Sequence, residues 1–409
     1  MVKNIPLLYN NTPSQRTVKT SCWLMVMAVS YNALLAFINA NIMHISNAHV
    51  MIVEILVVLS ATFLVIQNLK YVSALLPTLI FIGISLFLFL WVSFLNETIA
   101  LKSIRDYYNI AIFLLLGTLC NKRAIILTFR VLSIVVFTIM IIEGYFTALY
   151  VSIFEPAQYY ASTRGMEGKY NDVGVFGASL SFEGRFSYGI FDTHRLSSIF
   201  LEQVSLANFS TVLAIFTSAL WSHLKKYDKI FFIILTLFII LSNDTRVGSV
   251  LALIIFSGFF IFPMLPKYTN ILYMPLIILM VTLLFYDPYI HTLEDDDLKG
   301  RLSYSLYIIS DMSFYDIMGD SLAKTGLAWD SGYAYIIFSQ SIFGLLLLWL
   351  YTSLIVPQNT ASRKRLTHGV NLSIFLNLLV SGAIFSIKFV APLWFIIGFL
   401  CTNRLYSSK

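Results

Sequence analysis

The 409-residue chain is 58% hydrophobic and only 12% charged, with a mean hydropathy of +0.81. So little charge over this length excludes a soluble globular protein and defines an all-α polytopic membrane protein, read as a single integral membrane domain over residues 1–409. The net charge of +6 is spread through short loops, so it is not a nucleic-acid footprint.

Residues up to about Ser21 are polar. The apolar segment from about Cys22 is too long for a signal h-region and carries no small-x-small cleavage site, so it reads as an uncleaved first span. Apolar runs long enough to span follow the chain at about 22–41, 48–66, 72–94, 106–120, 124–150, 197–221, 229–243, 246–264, 270–287, 331–355, 370–385 and 389–403. The expectation is therefore about twelve transmembrane helices. Cys22, Cys120 and Cys401 lie far apart at span ends, with no pair or metal spacing, and receive no chemistry. Paired broken helices in two matching halves, the mark of many transporters, are not found.

Orientation follows from Lys and Arg. With the N-terminus inside, the short inner loops hold the clusters Lys122–Arg123, Lys225–Lys226–Lys229 and Arg363–Lys364–Arg365. Most outer cations then fall in two long loops, at about 151–196 and 288–330, which count less. The first loop carries Tyr159, Tyr160, Arg164, Arg185, Phe186 and Tyr188. The second carries Glu294, Asp295, Asp296, Asp297 and Arg301, followed by an amphipathic helix with Leu302, Leu306 and Ile309 on one face. The acidic run reads as a solvated turn, with Asp295-x-Asp297 as an alternative metal site. Glu54, Arg130 and Glu143 fall within spans, as buried pairs or proton-relay groups. Lys388, like Arg130, reads as a local charge partner or a snorkelling cation.

Three outer junctions share a design. Arg195 precedes the sixth span, Arg246 opens the eighth and Asp330 opens the tenth. Each reads as the N-terminus of an inward-running helix, where unpaired N–H groups and a partial positive charge favour an anion. Two of the three add an arginine, which suits a diphosphate. The plainer readings are a snorkelling Arg and ordinary N-caps at Asp244, Thr245 or Asp330.

The segment Arg195-Leu-Ser-Ser-Ile-Phe-Leu-Glu202 resembles the Arg-x-x-[Gly/Ser]-x-Phe-x-Glu-Pro signature of bacterial O-antigen and exopolysaccharide polymerases, with Gln203 in place of the Pro. Ser242-Asn-Asp-Thr-Arg-Val-Gly-Ser249 resembles the Ser-x-x-Arg segment that starts a later span in the same group and in O-antigen ligases. Asp330-Ser-Gly-Tyr333, running into Ser341-Ile-Phe-Gly344, resembles a second loop end where the ligases have His-Asn. The resemblance implies a metal-independent glycosyltransferase without cofactors, located in the bacterial inner membrane with both termini cytoplasmic. It would join undecaprenyl-diphosphate-linked repeat units at the periplasmic face. Implied partners are those lipid-linked oligosaccharides, the bilayer, and a chain-length regulator and flippase of the same pathway.

Residue roles follow from that chemistry. Arg195 and Arg246 would stabilise the leaving lipid diphosphate. Asp330 or Glu202 would act on the acceptor hydroxyl, with Asp330 as general base and Glu202 orienting Arg195 from within the same helix. Arg164, Arg185, Tyr188, Arg301 and Tyr333 would contact the glycan. The alternatives are a glycan ligase, against which Asp in place of His argues, and a transporter or flippase for lipid-linked sugars, which would line a path through the bilayer with charge.

Overall fold

The structure, a computed structural model, describes residues 12–165, 172–181, 186–286, 298–328 and 331–402. It is all-helical, with no strand among the described residues; a lone antiparallel bridge joins Leu180 to His194. The helices are α1 (Gln15–Asn41), α2 (Asn47–Gln67), α3 (Leu75–Leu95), α4 (Leu101–Thr118), α5 (Lys122–Tyr145), α6 (Thr147–Phe154), α7 (Pro156–Arg164) and α8 (Gln203–Leu220). They continue with α9 (Lys226–Asn243), α10 (Arg246–Ile261), α11 (Tyr273–Phe285), α12 (Leu298–Ser310), α13 (Phe314–Met318), α14 (Gly332–Leu354), α15 (Ala361–Asn377) and α16 (Ile387–Cys401).

Every apolar run read from the sequence is occupied by a helix, but among the described residues seven helices, not twelve, are long and apolar enough to cross a membrane: α1, α2, α3, α5, α8, α10 and α14. Two more, α11 and α16, are apolar but shorter. The other three runs fall on α4, α9 and α15, whose opening turns carry Lys102 and Arg105, Lys226 and Asp228, and Arg363 to Arg365. A helix enclosed by protein needs neither lipid-spanning length nor an unbroken apolar surface. α4 and α16 are such helices. Their residues from Asn109 to Thr118 and from Ile387 to Leu400 are buried. They cross at glycines: a Cβ on Gly398 would meet the Leu114 carbonyl oxygen at 1.8 Å, and one on Gly117 the Phe395 carbonyl oxygen at 2.1 Å. Small residues at a crossing let two backbones touch, which is how helices associate where water exclusion gives little.

Around this centre, α2, α3, α10 and α11 turn large apolar side chains outward, among them Leu76, Phe94, Leu253, Phe260 and Leu283. A contiguous apolar exterior of this kind is compatible with a bilayer and not with water. The described part of the first long loop contains the end of α6 and the whole of α7. α12 buries Leu302 and Leu306 and packs Ile309 against the core. Although 98 residues apart in sequence, Cys22 and Cys120 meet, sulfur to sulfur, at 3.3 Å. Their spacing carries no sign of this pairing, because helix packing creates it.

Candidate functional site

The stretch from Arg195 to Gln203 is not the start of a helix. α8 begins only at Gln203, with Glu202 as its extended N-cap residue. The cause is Glu143. Buried on α5, its carboxylate accepts from the backbone N–H of Ser197 (3.0 and 2.9 Å) and of Ser198 (2.6 Å) and from the Ser197 hydroxyl (2.7 Å). These donors are thereby removed from any helix. Ser198 and Leu201 take left-handed φ values of 53° and 59°, a conformation that persists only where surroundings impose it. Those surroundings are specific. The Asn243 amide donates to the Leu196 and Gln203 carbonyls at 2.6 and 2.9 Å, and Arg195 N–H donates to the Ser179 carbonyl at 2.8 Å. Glu143 is thus an anchor of this turn, a role the sequence did not reveal.

The turn separates two cavities. The smaller, of 160 Å³, is lined by Arg195, Gln203, Asn243, Thr245, Arg246 and Arg301, among others. Arg246 is the first residue of α10, capped by Thr245, whose hydroxyl accepts from Gly248 N–H at 3.1 Å. Asp244 instead accepts from Tyr188 N–H at 2.6 Å. Phe186 links the two arginines: Arg195 donates to its carbonyl at 3.0 Å, and the Arg246 guanidinium lies 5.4 Å from its ring centroid. Tyr188 is exposed, and its hydroxyl meets that of Ser249 at 2.7 Å.

The larger cavity, of 570 Å³, lies between α1, α2, α4, α7 and α16. Its lining includes Glu54, Lys102, Arg105, Asp106, Arg164 and Lys388, together with Tyr31, Tyr159, Tyr160 and Tyr335. Arg105 binds Asp106 at 2.8 Å and lies 3.8 Å from Glu54. Tyr335 donates to the other Asp106 oxygen at 2.7 Å. Behind this wall Glu202 meets Arg164 at 3.0 Å and Lys388 at 3.8 Å. Lys388 also donates to the Phe200 carbonyl at 2.8 Å, and the Arg164 guanidinium lies 4.4 Å from the Tyr160 ring centroid. Burial works to raise the Glu202 carboxyl, but Arg164 and Lys388 outweigh it and hold it below the ordinary value of 4.5. A carboxylate so held is a weak base.

Several expectations need correction. Arg195 is a loop residue, not a helix N-terminus. Glu202 is outside the helix and pairs with Arg164 and Lys388, not with Arg195. Tyr333 is buried, its hydroxyl bonded to the Phe375 carbonyl at 3.0 Å, and is part of the core. Ser331 caps α14, accepting from Ala334 N–H at 3.3 Å. Asp330, Arg185 and the acidic run Glu294–Asp297 lie outside the described residues. Arg130, at the opposite end of the bundle, forms a two-point pair with Asp228 at 2.8 and 2.9 Å.

The cluster of Glu54, Lys102, Arg105, Asp106 and Lys388 was missed. Its members come from α2, α4 and α16, and the sequence keeps Glu54 and Lys388 far from the Lys102, Arg105 and Asp106 group. The available signal was the polar opening of the fourth run. Among the described residues, the turns after α2, α4, α8, α10 and α14, which the Lys and Arg bias assigns inside, contribute nothing to the lining of either cavity. Comparison with known protein families, with characterised proteins and with solved structures gives no match to this chain.

Proposed function

We propose that the protein is a membrane glycosyltransferase that joins undecaprenyl-diphosphate-linked oligosaccharide repeat units at the periplasmic face of the bacterial inner membrane. The observation that carries this reading is the convergence of Arg195, Arg246 and Arg301 on one cavity beside the N-terminus of α10. Three cations with backbone donors at a helix start are the chemistry a leaving diphosphate calls for. The resemblance of the segments around Arg195 and Arg246 to polysaccharide polymerases supplies the substrate class.

In this scheme the glycan moves from its lipid diphosphate to a hydroxyl of the incoming unit. The C1–oxygen bond of the donor breaks, its electrons pass to the diphosphate, and the arginines stabilise the charge that develops there. The acceptor hydroxyl loses its proton to a general base. Glu202, held ionised by two cations, is unsuited to this, which leaves the role to Asp330, one residue before the α14 cap. The undecaprenyl tail lies among the spans, and a flippase and a chain-length regulator act before and beside the enzyme.

The test is reconstitution of the protein with lipid-linked repeat units. Longer glycans should form, and Arg246→Lys or Arg195→Lys should cut their formation by about tenfold or more at normal protein abundance, because Lys cannot replace a two-point phosphate contact. Unchanged lengthening in both variants would sink the reading. Transfer only to a different acceptor would mark a ligase. Movement of labelled lipid-linked saccharide across the membrane without lengthening would mark a transporter.

A further inference from the structure

We propose that the larger cavity binds a carboxylate-bearing sugar, and that Lys102 selects for the acid. The inference rests on the polymerisation reading only in taking that sugar as part of the repeat unit. Binding itself is argued from the cavity.

At 570 Å³ the cavity falls within the range of small-molecule sites, about 300–1,000 Å³. Its tyrosines, Tyr31, Tyr159, Tyr160 and Tyr335, intersperse charged groups around the lining. That combination suits a ligand whose rings have apolar faces and hydroxylated rims, since tyrosine offers a flat apolar body with a polar tip.

The charge pattern names the ligand more closely. Arg105 faces Asp106 and Glu54, while Arg164 and Lys388 share Glu202. These groups balance, three cations against three carboxylates. Lys102 remains. It is exposed at the cavity mouth, its ammonium 4.7 Å from the Tyr335 ring centroid, and makes no ion pair among the described residues. Among the described residues this leaves one surplus positive charge, which matches a single carboxylate, whereas a phosphate monoester carries about −1.5 to −2 at neutral pH. Lys102 and Arg105 are three residues apart on α4 and share a face. The Arg105 bond to Asp106 uses only Nε and one Nη of a five-donor guanidinium, so the same face also presents donors for hydroxyls.

The experiment uses the full-length protein purified in detergent. It is titrated with a disaccharide ending in glucuronic acid and with its glucose-ended counterpart, with binding read by saturation-transfer NMR. The acidic sugar should bind about tenfold tighter, the effect of one charge-assisted contact. Lys102→Gln should bring the ratio to within about twofold and leave the neutral sugar's affinity and the unfolding temperature unchanged. Arg246→Lys should leave the ratio intact, so unchanged polymerisation in that variant together with a preserved ratio counts against the enzyme reading alone. Equal affinity of the two sugars, a ratio insensitive to Lys102→Gln, or displacement of the acidic sugar by inorganic phosphate at a similar concentration would each overturn the proposal.

Discussion

Glu202 shows how a residue's role is set by partners far away in the chain. It is held by Arg164 and Lys388. Replacing it with Gln leaves both cations without their anion, at a cost of about 1–3 kcal/mol. That loss should appear as a lower unfolding temperature at pH 7. The sign with pH follows from a folded-state value depressed below 4.5: the contribution is present above that value and fades as pH falls through the lower folded one. Wild type and Glu202→Gln should therefore converge in acid, and an unchanged unfolding temperature at pH 7 would show that the pairing contributes nothing. Reading Glu202 as a partner of Arg195 assumed a helix between them, and sequence spacing alone supplied that assumption. Arg246 was legible because a Thr cap and an apolar run frame it within a few residues. The links from Glu202 to residues 164 and 388 have no local signature, and neither does the burial of Tyr333.

Among the elements, the α4–α16 crossing sets the geometry of the larger cavity, since Lys102, Arg105 and Asp106 start one helix and Lys388 the other. Gly398→Ala should lower the folded fraction recovered in detergent, because its methyl group would collide with the Leu114 backbone. Overpacking costs about 1–3 kcal/mol where side chains can yield, and a backbone contact yields less readily. Gly83→Ala on α3, where a Cβ meets nothing within 4 Å, should be neutral or slightly stabilising and serves as the control. If both variants behaved alike, the close crossing would not matter to stability. Hydropathy found the helices because lipid and core both select apolar side chains. It could not rank them, and so α4, among the shortest runs, did not stand out as central. The start of α8 was also misread, since only the fold brings Glu143 under Ser197 and Ser198.

For the molecule as a whole, both cavities draw on the same set of helix ends. A membrane-impermeant thiol reagent should therefore label Lys102→Cys and Arg246→Cys from one side of the bilayer, the periplasmic side under the proposed orientation. Labelling of the two positions from opposite sides would break the shared topology. The helices themselves were readable from the apolar runs. The presence of two chambers was not, because their walls are assembled from nearly every part of the chain.

The α4–α16 crossing also bears on how the molecule is made. α4 ends at Thr118 and α16 begins at Ile387, so during synthesis α4 enters the membrane long before the helix that covers it. Until then its glycine face has no lasting partner, and interim shielding must come from the translocation machinery or from neighbouring helices that later give way. Chains halted before α16 would keep most of their spans yet lack a centre, which makes them natural targets for membrane proteases. Arrival of α16 would then supply Lys388 and the last wall of the larger cavity, so a chain halted before it could insert but could not bind there.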